Sequence, residues 1–127
     1  LVKPRIVDKV LELGEPVKTF QTEYLNRAIC SSATRDSLVR ALRAVVTNGT
    51  GYRLKSARCE VAGKTGTSGQ YMDRWFVGCT LYYVAAVWTG YDQQERINVS
   101  GNPAAQLWKK VMSPLHDGLS WKSFTHP

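Results

Sequence analysis

Residues 59–91 read CEVAGKTGTSGQYMDRWFVGCTLYYVAAVWTGY, and the organisation of the whole chain follows from how this stretch divides. Residues 59–68 are a short run bounded by turn-prone residues and followed by Gly69, which predicts a strand flanked by loops. Residues 75–91 are aromatic and β-branched throughout but exceed the roughly six residues of an ordinary strand, so they predict two strands with a bend near residues 80–82. No glycine, proline or asparagine marks that bend.

Working outward, Asn102-Pro103 supplies a cap and a first-turn proline for a closing helix. Its apolar face is expected to hold Ala104, Leu107, Trp108, Val111, Met112 and Leu115, with Pro114 as a kink point and Gly118 as the stop. Upstream, Leu38, Val39, Leu42, Val45 and Val46 recur at three- and four-residue steps, which predicts an amphipathic helix capped by Thr34, favoured by Asp36 and ended by Asn48-Gly49. The first twenty residues alternate between apolar and charged around a Gly14-Glu15-Pro16 turn signal, as a β-hairpin does. Hairpin, helix, three strands and helix describe an α+β fold in which helices cover the faces of an antiparallel sheet. Residues 120–127 read as a loosely ordered tail.

The chain has 127 residues, 43% apolar, 10% aromatic and 21% charged, the composition of one globular domain rather than a disordered or fibrous chain. Its longest unbroken apolar run, residues 81–88, falls far short of the roughly 20 residues of a membrane-spanning helix. There is no initiator Met and no basic-then-apolar leader, so Leu1 is expected to lie inside a longer natural chain. Seventeen basic against ten acidic residues give a net charge of +7, but the basic residues are scattered, without zinc-finger, RNP or basic-zipper spacing, and no nucleic-acid partner is expected. Cys30, Cys59 and Cys79 are odd in number, widely spaced and without a histidine pair, so they are expected to be small buried hydrophobes and not metal ligands. His116 and His126 stand in no serine, cysteine or carboxylate constellation.

Gly63-Lys64-Thr65 matches the end of a phosphate-binding loop, but the glycine required five residues earlier is Arg58, and no helix follows. Gly49-Thr50-Gly51 opens a dinucleotide fingerprint whose third glycine is replaced by Leu54. The remaining reading takes Lys64-Thr65-Gly66 as the K-T-G element of active-site serine enzymes that are acylated by penicillins. On a strand, alternation separates the Lys64 side chain from those of Thr65 and Thr67, while Gly66 lets a ligand approach the backbone. An edge strand of this kind docks an extended peptide by main-chain hydrogen bonds.

Read together, VAGKTGTS, DRWFVGCTLYYVAAVWTGYD and SGNPAAQLWKKVM resemble the end of the transpeptidase domain of class A penicillin-binding proteins. LVRALRAVVTNGTGYRL resembles the segment that precedes the K-T-G strand in that family, and LVKPRIVDKV the hairpin before it, so the likeness runs from about Leu1 to about Leu119. The resemblance implies that residues 1–127 are the C-terminal, K-T-G-bearing portion of one such domain, whose strand is the third of a five-stranded antiparallel sheet. It implies Lys64 and Thr67 as catalytic residues, the Thr67 N–H contributing to an oxyanion hole, and Thr65 and Gly66 as substrate-binding residues. It implies peptidoglycan stem peptides and β-lactams as ligands, the upstream half of the domain as partner, and no metal or organic cofactor. It also implies the outer face of the cytoplasmic membrane as location, with an anchor outside this sequence.

The family pattern also requires a nucleophilic serine in S-x-x-K and a second in S-x-N, both before K-T-G. No serine here has a lysine three residues later, and Ser100-Gly101-Asn102 follows K-T-G instead of preceding it. The chain is therefore expected to be inactive alone. Two rival readings are a class D-like β-lactamase fragment, which shares K-T-G and a W-F-V-G strand, and a non-catalytic module that binds cell-wall peptide through its edge strand.

Overall fold

The computed structural model describes residues 1–56 and 58–124. The chain forms two compact units, Leu1–Arg35 and Asp36–Pro127. In the first, β1 (Lys9–Glu12) and β2 (Glu15–Thr19) pair antiparallel in the expected hairpin. Its turn is Leu13-Gly14, with φ of +52° and +90°, and not the Gly14-Glu15-Pro16 set. Positive φ at both central residues gives the loop the twist of the strands it joins. The register shifts between Val10 and Leu11, and the hairpin is exposed on both strands.

The first helix, α1 (Ser32–Thr47), begins earlier than expected. Ser31 is its cap, its Oγ accepting from the Thr34 N–H at 3.1 Å, so Thr34 lies inside the first turn. Its end is as expected: the Gly49 and Gly51 N–H groups both donate to the Val45 carbonyl, at 3.1 and 2.9 Å. Val46 joins the core, but Leu38 stays exposed and Leu42 and Val45 are half-buried.

The second unit is built on a three-stranded antiparallel sheet of order β3 (Ala62–Thr67), β4 (Arg74–Cys79) and β5 (Val84–Thr89). The bend between β4 and β5 is made by a side chain. Thr80 Oγ1 accepts from the N–H groups of Tyr82 and Tyr83, each at 3.1 Å, and the Thr80 N–H donates to the Tyr83 carbonyl at 2.8 Å. A threonine that closes its own turn needs no glycine or proline. Thr80 is held in turn by the buried His116, whose Nε2 lies 2.9 Å from Thr80 Oγ1 and whose Nδ1 lies 2.7 Å from the Met112 carbonyl oxygen. The carbonyl can only accept, so Nδ1 carries the proton and Nε2 accepts from the threonine hydroxyl.

The closing helix α2 (Pro103–Leu115) is capped by Asn102, whose side chain accepts from the Ala105 N–H at 3.0 Å. Its buried face is Ala104, Ala105, Trp108 and Met112; Leu107, Val111 and Leu115 are exposed, so the seam is rotated from the expected one. Small residues at 104 and 105 let the helix lie close to the sheet, and Trp108 then fills the contact. Its ring meets Phe76 edge-on at 5.2 Å and its Nε1 donates to the Ala85 carbonyl at 3.0 Å. Phe76 and Trp108 are the largest fully buried side chains, at 0% and 2% exposure.

The fold is α+β as expected, with a difference in how the sheet is covered. Antiparallel register places Gly63, Thr65, Thr67, Arg74, Phe76, Gly78, Ala85, Val87 and Thr89 on the face toward α2. The other face carries Lys64, Gly66, Trp75, Val77, Val84, Ala86 and Trp88, and its large apolar residues are between 44% and 76% exposed. The bulky strand residues thus divide: Phe76 and, in part, Val87 are core, whereas Trp75, Val77, Val84 and Trp88 are not.

Two further expectations change. Cys59 is buried and Cys79 half-buried, but Cys30 is exposed. The tail is tied down over residues 120–124: the Tyr82 hydroxyl donates to the Ser120 carbonyl at 2.7 Å, and the Phe124 N–H donates to the Glu60 carboxylate. That carboxylate also pairs with Arg43. His126 and the rest of the expected tail lie outside the described residues.

Candidate active-site strand

Lys64, Thr65, Gly66 and Thr67 are consecutive on β3, and among the described residues β3 pairs only with β4, leaving its other side open. Which backbone groups face that open side follows from two hydrogen bonds. Lys64 Nζ donates to the Thr65 carbonyl at 2.7 Å, in keeping with a carbonyl turned away from β4. The Ser68 N–H donates toward β4, to the Asp73 carbonyl, at 3.1 Å. In a strand the N–H and C=O of one residue point to the same side, and successive residues alternate. Residues 64, 66 and 68 therefore address β4, and residues 63, 65 and 67 the open edge. The Thr67 N–H and the Thr65 carbonyl are donor and acceptor on that edge.

The side chains divide as alternation requires. Lys64 is exposed on the face away from α2 and folds back over its own strand to reach the Thr65 carbonyl. Thr65 and Thr67 lie on the opposite face, where Thr65 Oγ1 is 3.0 Å from Thr50 Oγ1 and Thr67 Oγ1 accepts from Arg74 Nη1 at 3.4 Å. At Gly66 a Cβ would stand 3.0 Å from Trp75 Cβ, so the strand passes its neighbour closely there.

The turn from β3 to β4 is closed by Ser68 and Asp73: the Asp73 N–H donates to Ser68 Oγ at 2.8 Å, and Asp73 Oδ1 accepts from Trp88 Nε1 at 2.9 Å. Asp73 therefore braces the end of the sheet. A cavity of about 330 Å³ opens beside the Thr50–Thr65 contact, bounded by residues 50–54, 100–102 and the first two turns of α2. Asn102 borders it as the helix cap and also donates from Nδ2 to the Trp75 carbonyl at 3.0 Å, a structural role.

All four residues expected to form the site are thus contiguous on one open strand. Thr50 and Arg74 are brought to it as well. The sequence signalled the first only through Gly49-Thr50-Gly51, read as a failed nucleotide fingerprint, and gave no signal for the second. Among the described residues no group of three or more His, Cys, Asp or Glu is arranged to hold a metal ion.

Residues 1–113 match the family described as penicillin binding protein transpeptidase domain. The chain is 32% identical over 126 residues to penicillin-binding protein 1A of Clostridium acetobutylicum, which covers 98% of this chain and 16% of that protein. It is 37% identical over 108 residues to penicillin-binding protein 1A of Pseudomonas aeruginosa, covering 77% of this chain and 13% of that one. The crystal structure of penicillin-binding protein 1A from Haemophilus influenzae superposes over 100% of this chain and 25% of its own, with a TM-score of 0.76 at 17% identity. The chain therefore spans a small part of the curated relatives it matches, in a fold they share. With the family match running from Leu1 through most of α2, the chain belongs to the penicillin-binding protein transpeptidase domain family.

Proposed function

We propose that this chain is the C-terminal part of a D-alanyl-D-alanine transpeptidase domain and supplies the K-T-G wall of its cleft. The carrying observation is the open edge of β3, where the Thr67 N–H and Thr65 carbonyl are unspent on β4 while Lys64 Nζ lies alongside. An extended stem peptide docks there as an added strand. A serine from the upstream half attacks the carbonyl carbon of the penultimate D-alanine. Its proton leaves through a relay next to Lys64, and the carbonyl oxygen becomes an oxyanion facing the Thr67 N–H. The tetrahedral intermediate collapses with loss of D-alanine, and an amine of a neighbouring peptide displaces the serine from the acyl-enzyme. Thr65 holds the terminal carboxylate with its hydroxyl, and Gly66 admits the peptide to the backbone. An oxyanion donor of this kind contributes about 10²–10³ in rate. β-Lactams enter by the same first step and stop at the acyl-enzyme.

Since no S-x-x-K occurs in these 127 residues, the chain by itself is inactive and the upstream half of the domain is its partner. The setting is the outer face of the cytoplasmic membrane, reached through an anchor outside this sequence. Intact-mass spectrometry after penicillin treatment tests the proposal. The chain alone remains unmodified, and the protein containing the upstream half gains one penicilloyl group on a serine upstream of Leu1. A stable adduct on this chain alone, or no adduct on the longer protein, refutes it.

A further inference from the structure

Past Thr67, the end of the sheet carries two guanidinium groups that no carboxylate pairs with among the described residues. Arg74 and Arg96 come to the same ring, that of Tyr71, with their central carbons 4.5 and 5.3 Å from its centroid. Among the described residues neither arginine has a carboxylate oxygen within 4.0 Å, and the one hydrogen bond either makes is that of Arg74 to Thr67 Oγ1. Together with Tyr71, Ile97, Asn98 and Val99 they line an open depression of about 520 Å³.

The arrangement is held in place. Gln70 and Tyr71 have consecutive φ values of +58° and +64°, conformations that cost non-glycine residues energy and that persist where the surrounding structure fixes them, commonly at ligand clamps. The loop that brings Arg96 is pinned by the buried Ile97, whose N–H donates to the Tyr71 carbonyl at 3.1 Å. Two cations gathered at one ring and lining one depression repel each other, and an anion in that depression offsets the cost while accepting charge-assisted hydrogen bonds.

We infer that Arg74 and Arg96 form a subsite for a carboxylate in the body of the peptide donor, separate from its terminal carboxylate. The inference rests on the proposed function, because the direction of the peptide follows from it. With the terminal carboxylate at the Thr65 hydroxyl and the penultimate carbonyl at the Thr67 N–H, the upstream part of the peptide continues past Thr67. Past the turn carboxylate of Asp73, which is taken up by Trp88 Nε1, the cations at that end are these two arginines, one already in contact with Thr67. An acidic peptide is thereby favoured over a neutral one of the same length.

The test uses the full-length protein and two synthetic peptides ending in D-alanyl-D-alanine, one with a free acidic side chain upstream and a twin with that side chain amidated. Amidation lowers kcat/KM of the wild type about tenfold, and Arg96→Gln lowers it about tenfold for the acidic peptide, the worth of one charge-assisted contact at a surface site. The amidated peptide is turned over alike by wild type and Arg96→Gln, and Arg96→Lys recovers part of the loss. If Arg96→Gln slows both peptides equally, or neither, the subsite does not exist. Penicillin labelling of the wild type separates the two levels. Labelling without peptide discrimination removes only the subsite, whereas no labelling removes the transpeptidase reading and the subsite with it.

Discussion

Gly63→Ala is the substitution that most directly couples the packing of the sheet to its chemistry. A Cβ at residue 63 would stand 2.5 Å from Phe76 Cζ, 2.7 Å from the Val77 carbonyl oxygen and 3.0 Å from Gly78 Cα. Carbon atoms rest at about 3.5–4.0 Å, so relief requires movement of roughly 1 Å. The Phe76 ring cannot supply it, since it is fully buried against Trp108, and the other two atoms are backbone of β4. β3 must therefore move off β4 and take Lys64 to Thr67 with it. Overpacking of this kind costs about 1–3 kcal/mol, and several degrees of melting temperature accompany each kcal/mol in a domain of this size. A 1 Å displacement of positioning groups costs on the order of 10²-fold in rate. Calorimetry and the second-order rate of penicillin acylation, both on the protein containing the upstream half, read the two effects. Gly69→Ala is the control, because nothing lies within 4 Å of its added Cβ. If Gly63→Ala melts and acylates like Gly69→Ala, the glycine does not set the strand spacing and the coupling is wrong.

Lys64→Ala is expected to slow penicillin acylation at least about 10²-fold with an unchanged melting temperature, as loss of a proton-relay group does; a drop in melting temperature of the same rank would assign the residue to stability instead. His116→Leu leaves the Thr80 hydroxyl and Met112 carbonyl without their partner, each a loss of about 1–3 kcal/mol, and lowers the urea midpoint; an unchanged midpoint would show that the β4–β5 turn holds without it. Burial pushes the Cys59 and Cys79 thiols up, Cys59 against a smaller opposing hydrogen bond from Ser56. With dithionitrobenzoate at pH 8, Cys30 reacts first and the other two slowly. Because the raised values favour the neutral thiol in the folded state, that share of stability is full below the unfolded thiol value of about 8.5 and is lost as pH climbs through the folded values. Denaturant midpoints that do not fall above pH 9 would contradict the sign.

The elements were legible wherever local chemistry decided them. Asn102-Pro103 fixed the start of α2, Asn48-Gly49 the end of α1, and the aromatic run of residues 75–91 the presence of two strands. What escaped the sequence was set by partners distant along the chain. The seam of α2 is set by Trp108, whose ring lies against Gly78 and Phe76 on the sheet, and this turns Ala105 inward in place of Leu107 and Val111. The bend at Thr80 showed no signal because its stability comes from His116, thirty-six positions later. In the same way the K-T-G residues could be read from a contiguous motif, while Thr50 and Arg74 reach Thr65 and Thr67 only through the folding of a loop and the register of β4.

The two faces of the sheet carry the same kind of residue and meet different fates, which bears on how the chain is used. The face toward α2 is sealed by Phe76 and Trp108, with glycines that let strands and helix approach. The opposite face also alternates apolar residues, yet Trp75 and Trp88, their rings tilted at 6.4 Å, remain 45% and 44% exposed, and Val77 and Val84 are open. Solvated surface does not select two tryptophans and two valines at alternating positions; an apolar cover does. Lys64 shares this face, so whatever covers it also borders the ammonium group. Under the proposed function the upstream half of the domain would lie here and bring its serine to Lys64, which would tie the stability of the sheet to the completion of the site. The chain alone is accordingly expected to self-associate, with a sedimentation coefficient that rises with concentration, and to become monomeric when the upstream half is joined to it. A compact monomer with a sharp two-state melt, obtained from these 127 residues alone, would break the link between cover and catalysis.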